Sequence, residues 1–159
     1  MPNSIIFDWK GTLYDSNQRR LIDGAVQVLD FLLSCDIKLY LIGKNAQDSS
    51  QNSSLDMYDE VKRLEVNQYF QQVIFTPKSK SVELFQPFVN LDNPSSTIVI
   101  GDRIHSEIAV GKLLGTTTIW IQQGKFSSEI PTEESQEPDY IVSNLVELLI
   151  LLKEILVEA

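Results

Sequence analysis

Short apolar runs alternate along this chain with longer segments in which apolar residues recur at helical spacing. The short runs predict six buried strands, at residues 4–7, 37–42, 73–75, 97–100, 117–121 and 140–142. The periodic segments predict helices at residues 22–34, 55–64, 81–89, 104–114 and 145–157. Such alternation is typical of right-handed βαβ units. We therefore expect an α/β fold, a three-layer α/β/α Rossmann-like domain with a mostly parallel sheet.

Residues with turn and cap preferences delimit several of these elements. Gly43 is expected to end the second strand, and Gly115 to end the fourth helix. Either Asp56 or Ser54 is expected to cap the second helix. Asn144, followed by a glutamate three residues later, predicts the start of the closing helix.

Polar residues follow several predicted strands where those strands end. Asp8 follows the first strand and Asp102 the fourth, while Gly43 and Thr76 lie at the ends of the second and third. Ligands of open parallel sheets bind beyond the carboxyl ends of the strands. Alone, either aspartate could simply cap a turn or a helix. Two neighbouring carboxylates, however, repel each other unless a cation joins them, so the pair favours a metal site.

Four motifs make the chain similar to the haloacid dehalogenase-like (HAD-like) superfamily of hydrolases over almost its whole length. The sequence DWKGTL at residues 8–13 resembles the Asp-x-Asp-Gly-Thr-Leu signature of that family. The second motif is the strand that ends at Gly43. The third is a lysine ahead of a helix, for which Lys80 is our choice and Lys78 the alternative. The fourth is GDRIHSE at residues 101–107, a Gly-Asp pair followed by a second acid.

This resemblance implies an active site for phosphoryl transfer. Asp8 would be the nucleophile, forming an aspartyl-phosphate, and Lys80 would orient it and neutralise the phosphoryl oxygens. Mg²⁺ would be held by Asp8, by the backbone carbonyl of Lys10 and by Asp102, with Glu107 bound directly or through water. Such a set is chemically sensible, because phosphoryl transfer needs mainly positioning and a cation that offsets charge.

Two positions depart from the family pattern. Lys10 replaces the aspartate that serves as general acid and base, and a lysine with a pKa near 10.4 is a poor base at pH 7. Loss of such a group typically lowers the rate by about 10²–10⁴-fold. Gly43 replaces a serine or threonine and offers no hydroxyl to a phosphate oxygen. Thr12, Gly43 itself, Lys44 and Asn45 remain the candidates for binding substrate.

Three functions stay open at this point. The first is a Mg²⁺-dependent phosphohydrolase, slow because of Lys10; the second is a binding or regulatory protein that has lost turnover. The third is a hydrolase of a non-phosphate bond in which Lys10 has a new role. The matched acids and Lys80 lead us to favour the first.

Composition narrows the choice of partners. The chain has 159 residues, of which 43% are hydrophobic and 22% charged, and its net charge is −9. This charge argues against nucleic acid or an anionic membrane as partner, although it still allows a locally positive pocket for a phosphorylated substrate. Cys35, the only cysteine, can form neither an intramolecular disulfide nor a zinc cluster. With no leader pattern and no apolar run of membrane-spanning length, we expect a cytoplasmic protein.

The spacing of the motifs also bears on the size of the substrate. Residues 1–159 are expected to form a single HAD-like domain, since the segments between motifs leave no room for a cap domain. An open site would suit a bulky or macromolecular substrate, or a lid supplied by a second copy. The closing helix is apolar on nearly every side, which fits either a homodimer or burial within one chain.

The remaining polar and aromatic residues near the motifs have two interpretations each. His105 and Arg103 could contact substrate, but exposed positions on a helix are the simpler expectation. Trp9 and Tyr14 are expected to pack over the site. The acidic stretch 124–137 is expected to be a solvated loop.

Overall fold

A computed structural model of the protein describes residues 2–45 and 56–157. Its elements are β1 (Ser4–Phe7), β2 (Tyr14–Asp15), β3 (Arg20–Leu21), α1 (Ala25–Ser34), β4 (Lys38–Lys44), α2 (Met57–Arg63), β5 (Gln72–Thr76), α3 (Val82–Phe85), β6 (Thr97–Gly101), α4 (Ala109–Leu113), β7 (Thr117–Ile121), β8 (Tyr140–Val142) and α5 (Leu145–Val157). None of the helices in these two ranges is long and apolar enough to cross a membrane.

Six of the strands form one parallel sheet in the order β5-β4-β1-β6-β7-β8. The central strand β1 pairs with β4 on one side and with β6 on the other, so that Phe7 lies opposite Leu41 and Ile100. The chain builds the sheet outward from β1 first in one direction and then in the other. The carboxyl ends of β1 and β6 therefore flank the switch point at which ligands bind in such sheets.

Side chains alternate between the two faces of the sheet and bury both. Ile5 and Phe7 of β1 point to the face covered by α1, α2 and α5, whereas Ile6 packs with residues of α3 and α4 on the other face. The expected three-layer α/β/α architecture is confirmed, and no cap domain is evident in the two described ranges.

The predicted element bounds hold best where the pattern is strongest. Strands 4–7, 117–121 and 140–142 and the closing helix have the predicted limits. Asn144 accepts a hydrogen bond from the amide of Glu147 at 2.9 Å. Asp56 caps α2 by accepting from the amide of Tyr58 at 2.9 Å. The alternative cap Ser54, the predicted first residue of that helix and the polar stretch 46–54 lie outside the described residues.

Several predicted bounds are wrong, and two of these differences lie at the candidate site. Gly43 does not end its strand, because β4 continues through Lys44 and Gly43 pairs with Phe75. The predicted helix at 104–114 is broken into a π-helical turn, Ile104–Ile108, followed by α4. Ser106 has non-helical dihedral angles (φ −127°, ψ −106°) at this break. Isolated π turns of this kind occur frequently at functional sites.

The sequence pattern does not predict the hairpin formed by β2 and β3. Each strand has only two residues, which is too short for a periodicity to be seen. The hairpin is fastened to α2 through the buried side chain of Glu60, which accepts a hydrogen bond from the Tyr14 hydroxyl at 2.5 Å. Arg19 and Arg63 each bind the same carboxylate with two nitrogens.

Replacing Glu60 by glutamine is expected to lower the free energy of unfolding at pH 7 by roughly 1–2 kcal/mol, because charge-assisted hydrogen bonds are lost while the arginines stay half exposed. Hydrogen bonds from Arg63 and Arg19 hold the pKa of Glu60 far below its usual range. A depressed pKa stabilises the fold above the unfolded value near 4.3 and loses this contribution as the pH falls. Urea denaturation should therefore show a gap between wild type and Glu60→Gln at pH 7 that closes in acid. Equal midpoints at pH 7 would contradict this role.

Candidate active site

Three buried carboxylates meet at the carboxyl ends of β1 and β6. Asp8 follows β1, Asp102 follows β6, and Glu107 lies in the π-helical turn. Each offers one carboxylate oxygen to a group in which these atoms lie within 4.8 Å of one another. The pairing of β1 with β6 brings the first two together, as their positions at strand ends predicted.

Two glycines make this close approach possible. Gly11, with a φ of +78°, passes so near Asp102 that a Cβ atom there would lie 2.2 Å from Oδ2 of the carboxylate. A Cβ atom on Gly101 would lie 2.1 Å from Oε2 of Glu107. Any larger residue at either position would push a carboxylate out of the group.

Lys80 lies between two of the acids. Its Nζ donates to Oδ1 of Asp8 at 2.5 Å and to Oε1 of Glu107 at 3.1 Å, and its side chain is buried. Burial lowers the pKa of Lys80, but the two carboxylates outweigh it and raise the pKa overall. Lys80 directly precedes Ser81, the residue that caps α3 by accepting a hydrogen bond from the amide of Leu84. Lys78, the alternative for this position, is exposed.

The charges in this cluster do not balance. With all three carboxylates ionised, they and the ammonium of Lys80 have a net charge of −2 in a buried space. Burial, followed by the charge of Asp8, raises the pKa of both Asp102 and Glu107. Thr12 donates to Oδ2 of Asp8 at 3.1 Å, whereas Oδ1 of Asp102 is buried with no hydrogen-bond partner among the described residues. An all-oxygen donor set, an unpartnered oxygen and a charge of −2 fit Mg²⁺.

Lys10 and Lys44 line the cavity above this cluster. Lys10 is partly buried and Lys44 is exposed. Burial lowers the pKa of Lys10; the charge of Asp8 raises it and that of Lys44 lowers it again. Lys10 thus lines the cavity at the position where the family pattern has its acid/base.

The four candidates for substrate binding differ in their relation to the cavity. Lys44 lines it, whereas Thr12, Gly43 and Asn45 do not. A Cβ atom on Gly43 would lie 2.5 Å from Cε1 of Phe75, so the ring occupies the space of the family's serine or threonine. The amide of Asn45 donates to the carbonyl of Thr76 at 2.8 Å and extends the sheet.

The cavity has a volume of about 730 Å³, which is the size of a site for a small molecule. Its walls include residues 15–17 of the hairpin and residues 123–126 after β7. Gln123 joins the second wall to the first motif by donating to the carbonyl of Gly11 at 3.0 Å. These two segments therefore border the site. No local pattern in the sequence marks either wall.

Residues near the fourth motif are held by the segment after β7. Arg103 pairs with Glu129 at 3.0 Å, and its guanidinium lies 3.9 Å from the ring centroid of Phe126. Glu129 also accepts from the amide of Ile104 at 2.8 Å and is only 12% exposed, so the stretch 124–137 is not solvated throughout. His105 is exposed, as expected for a surface residue. Its Nε2 lies 2.7 Å from the carbonyl oxygen of Ile130.

The aromatic residues of the first motif pack as predicted. Trp9 and Tyr14 are both fully buried, and their rings stack with centroids 4.9 Å apart. Neither indole nor phenol is free to stack on a substrate. Their role is to hold the turn that carries Lys10 and Gly11.

Comparison with known proteins gives consistent results. The family model described as HAD-hydrolase-like matches residues 79–148. A glyceraldehyde 3-phosphate phosphatase of Pyrococcus furiosus is 26% identical over 110 residues, which are 65% of this chain and 45% of the relative. The chain thus spans less than half the length of the curated relative that it matches.

Solved structures show the same architecture. An uncharacterized protein from Listeria monocytogenes serotype 4b superposes with a TM-score of 0.71 at 17% identity, over 96% of this chain and 99% of the other. The D,D-heptose 1,7-bisphosphate phosphatase of B. bronchiseptica, solved with magnesium and phosphate, gives 0.70 at 15% identity over 99% of both chains. At these identities the likeness demonstrates the fold.

Proposed function

We propose, on the premise that this chain has the HAD-like fold and resembles the hydrolases of that superfamily, that it hydrolyses a phosphate monoester with Mg²⁺ as cofactor and Asp8 as nucleophile. The observation that carries the proposal is the buried cluster of Asp8, Asp102, Glu107 and Lys80. We propose further that residues 1–159 form one domain without a cap.

The metal would be held by this chain's own oxygens. Asp8 and Asp102 would bind it through their carboxylates and Lys10 through its backbone carbonyl, with Glu107 bound directly or through water. The ion would supply the positive charge that offsets the transferred phosphoryl group. Its charge would also remove the imbalance of −2 that the buried cluster otherwise carries.

The covalent steps follow from where these side chains lie. An oxygen of Asp8 attacks phosphorus while the bond to the leaving oxygen breaks, and the leaving oxygen keeps the electron pair. Lys80, bound to Asp8 and Glu107, holds the nucleophile in orientation. The ammonium of Lys10 can protonate the leaving oxygen, and its amine then regains a proton from solvent before the second step. Water then attacks phosphorus and releases phosphate and the free carboxylate. No carboxylate at position 10 activates that water, so we expect the second step to be slow.

Because Lys10 replaces the acid/base aspartate, the alternative is a protein that binds phosphorylated ligands without turnover. A buried charge cluster with no function would, however, be destabilising by several kcal/mol, because ions in the interior lose hydration. The intact cluster therefore supports a retained metal site, and the match to a relative named as a phosphatase favours an enzyme over a binding protein. Hydrolysis of a non-phosphate bond is a weaker candidate, since the matched relative is named as a phosphatase.

A phosphatase assay with p-nitrophenyl phosphate, with and without Mg²⁺, tests this function. We expect slow phosphate release that requires Mg²⁺ and is lost in Asp8→Asn. The matched control is Asp23→Asn, the same chemical change at a carboxylate whose side chain is 90% exposed. A wild-type protein that binds Mg²⁺ but releases no phosphate would favour the binding protein.

The outer side of α5 supports a homodimer. Leu145, Leu148 and Leu152 pack into the core, but Val146 and Ile150 on the opposite side are 61% and 56% exposed. Its apolar composition favoured burial on every side, but the side of α5 with Val146 and Ile150 is exposed.

Light scattering at micromolar concentration should show a dimer that Ile150→Glu converts to a monomer, because a charge placed in an apolar interface opposes its burial. Ser143→Glu adds the same charge at an exposed polar position ahead of the helix and should leave the dimer intact. A wild-type monomer under these conditions would rule out the dimer.

A further inference from the structure

Two lysines line the cavity beyond the carboxyl ends of the neighbouring strands β1 and β4. Lys10 follows β1, and Lys44 ends β4, the neighbouring strand on the side away from Asp102. Both line the cavity. In residues 2–45 and 56–157 neither of them, nor Lys125 in the same cavity, pairs with a carboxylate, whereas Lys80 and Arg103 do.

The positive charges of this pair are not needed by the metal site. The cluster of Asp8, Asp102, Glu107 and Lys80 has a net charge of −2, which a single divalent cation neutralises. The ammoniums of Lys10 and Lys44 remain as surplus positive charge in a chain whose net charge is −9. Both residues line one cavity beyond the ends of neighbouring parallel strands, so their like charges repel each other. An anion bound between them would relieve that repulsion.

The direction of the reaction places the leaving group near these lysines. Displacement at phosphorus is roughly in line, so the leaving oxygen departs on the side opposite the attacking carboxylate. Asp8 lies on the buried floor of the site with Lys80 and Glu107. The leaving group must therefore extend outward into the cavity that Lys10 and Lys44 line.

We propose that the leaving group of the substrate carries an anionic group of its own, bound between the ammoniums of Lys10 and Lys44. This inference rests on the proposed phosphatase function and specifies its substrate class, a small phosphate monoester with a second phosphate or a carboxylate. The position at which the family has its acid/base then serves recognition in this chain. The cavity, at about 730 Å³, holds a ligand of this size.

Phosphonates test the proposal independently of turnover, because cleavage of their carbon–phosphorus bond would have to expel an unstabilised carbanion. Three probes share a short carbon chain: propylphosphonate with one anionic group, phosphonopropionate with an added carboxylate, and propylene bisphosphonate with a second phosphonate. Their dissociation constants from wild type with saturating Mg²⁺ are measured by calorimetry. Lys44→Met removes one cation of the pair, and the matched control Lys38→Met removes one from the exposed opposite end of the same strand.

At least one doubly anionic probe should bind wild type about 10-fold more tightly than propylphosphonate, as expected for an added charge-assisted contact. That ratio should fall toward one in Lys44→Met, persist in Lys38→Met and decrease as salt is added. Whether the carboxylate or the phosphonate gives the larger ratio identifies the second group. Equal binding of all three probes, or no binding, would overturn the inference.

The two proposals fail in distinguishable ways. Turnover of p-nitrophenyl phosphate with equal binding of the three phosphonates would retain the phosphatase and remove the anion site. Preferential binding of the doubly anionic probes without turnover of p-nitrophenyl phosphate would retain an anion site between Lys10 and Lys44 and remove the enzymatic function, and with it the inference about a leaving group.

Discussion

Replacing Lys10 by aspartate is expected to accelerate hydrolysis of p-nitrophenyl phosphate by up to about 10²–10⁴-fold, the usual contribution of a general acid or base. The residue at this position lines the cavity. A carboxylate there could activate the water that attacks the aspartyl-phosphate. It would also remove a positive charge close to a bound Mg²⁺. The nitrophenyl group carries no phosphate or carboxylate of its own. Loss of the Lys10–Lys44 pair therefore removes no contact of the proposed kind from this substrate.

Two further variants separate these effects. Lys10→Asn removes the positive charge without supplying a base, so any gain that it shares with Lys10→Asp is electrostatic. Adding Asp8→Asn to Lys10→Asp should erase the gain, because the nucleophile is lost. Steady-state kinetics with the substrate at saturation measure the effect on kcat, and those at low concentration measure kcat/KM.

A Lys10→Asp protein that folds, binds Mg²⁺ and is no faster would direct attention to Gly43. Gly43→Ser alone cannot supply the missing hydroxyl without strain, since its Cβ would lie 2.5 Å from Cε1 of Phe75. The informative variant is therefore Gly43→Ser combined with Phe75→Val, which vacates the space of the ring. If wild type turns over briskly and Lys10→Asp is slower, lysine takes part in a working mechanism and hydrolysis of another bond gains support.

Replacing Asp102 by asparagine is expected to weaken Mg²⁺ binding by more than about 100-fold. Losing a partner beyond the direct ligands already costs 10–100-fold in metal sites, and a carboxylate ligand contributes more. Oδ1 of Asp102 is buried and without a hydrogen-bond partner among the described residues, which fits the metal ligand that we propose. Calorimetric titration of wild type, Asp102→Asn and the control Asp23→Asn measures the loss.

The same substitution should have the opposite effect on stability without metal. Burial and the charge of Asp8 raise the pKa of Asp102. A carboxyl group with a raised pKa favours the folded state below its unfolded value near 3.9, and this contribution is lost as the pH rises. At pH 7 without Mg²⁺, Asp102→Asn should therefore be more stable than wild type. Added Mg²⁺ should raise the melting temperature of wild type only. Equal Mg²⁺ binding by wild type and Asp102→Asn would show that the metal site is misassigned.

The sequence by itself determined the elements whose cause is local. Runs such as Ile5 to Phe7 and Ile98 to Ile100 are apolar on both faces, which suits only a strand covered on both sides. Alternation with amphipathic helices then requires parallel pairing, and parallel pairing brings strand-end residues to one edge of the sheet. Parallel pairing alone therefore predicts that Asp8 and Asp102 lie close together.

The tertiary structure decided whatever depends on residues far apart in the chain. It placed Lys80, not Lys78, against Asp8, because only one of two nearby lysines can reach a carboxylate 72 positions away. The ring of Phe75 fills the space beside Gly43, so packing excludes a serine or threonine side chain at that position. The hairpin held by Glu60 and the wall held by Glu129 have no periodic pattern, since side chains from distant segments stabilise them. Periodicity reports how each segment meets the core, and it carries no information about which polar side chains meet each other.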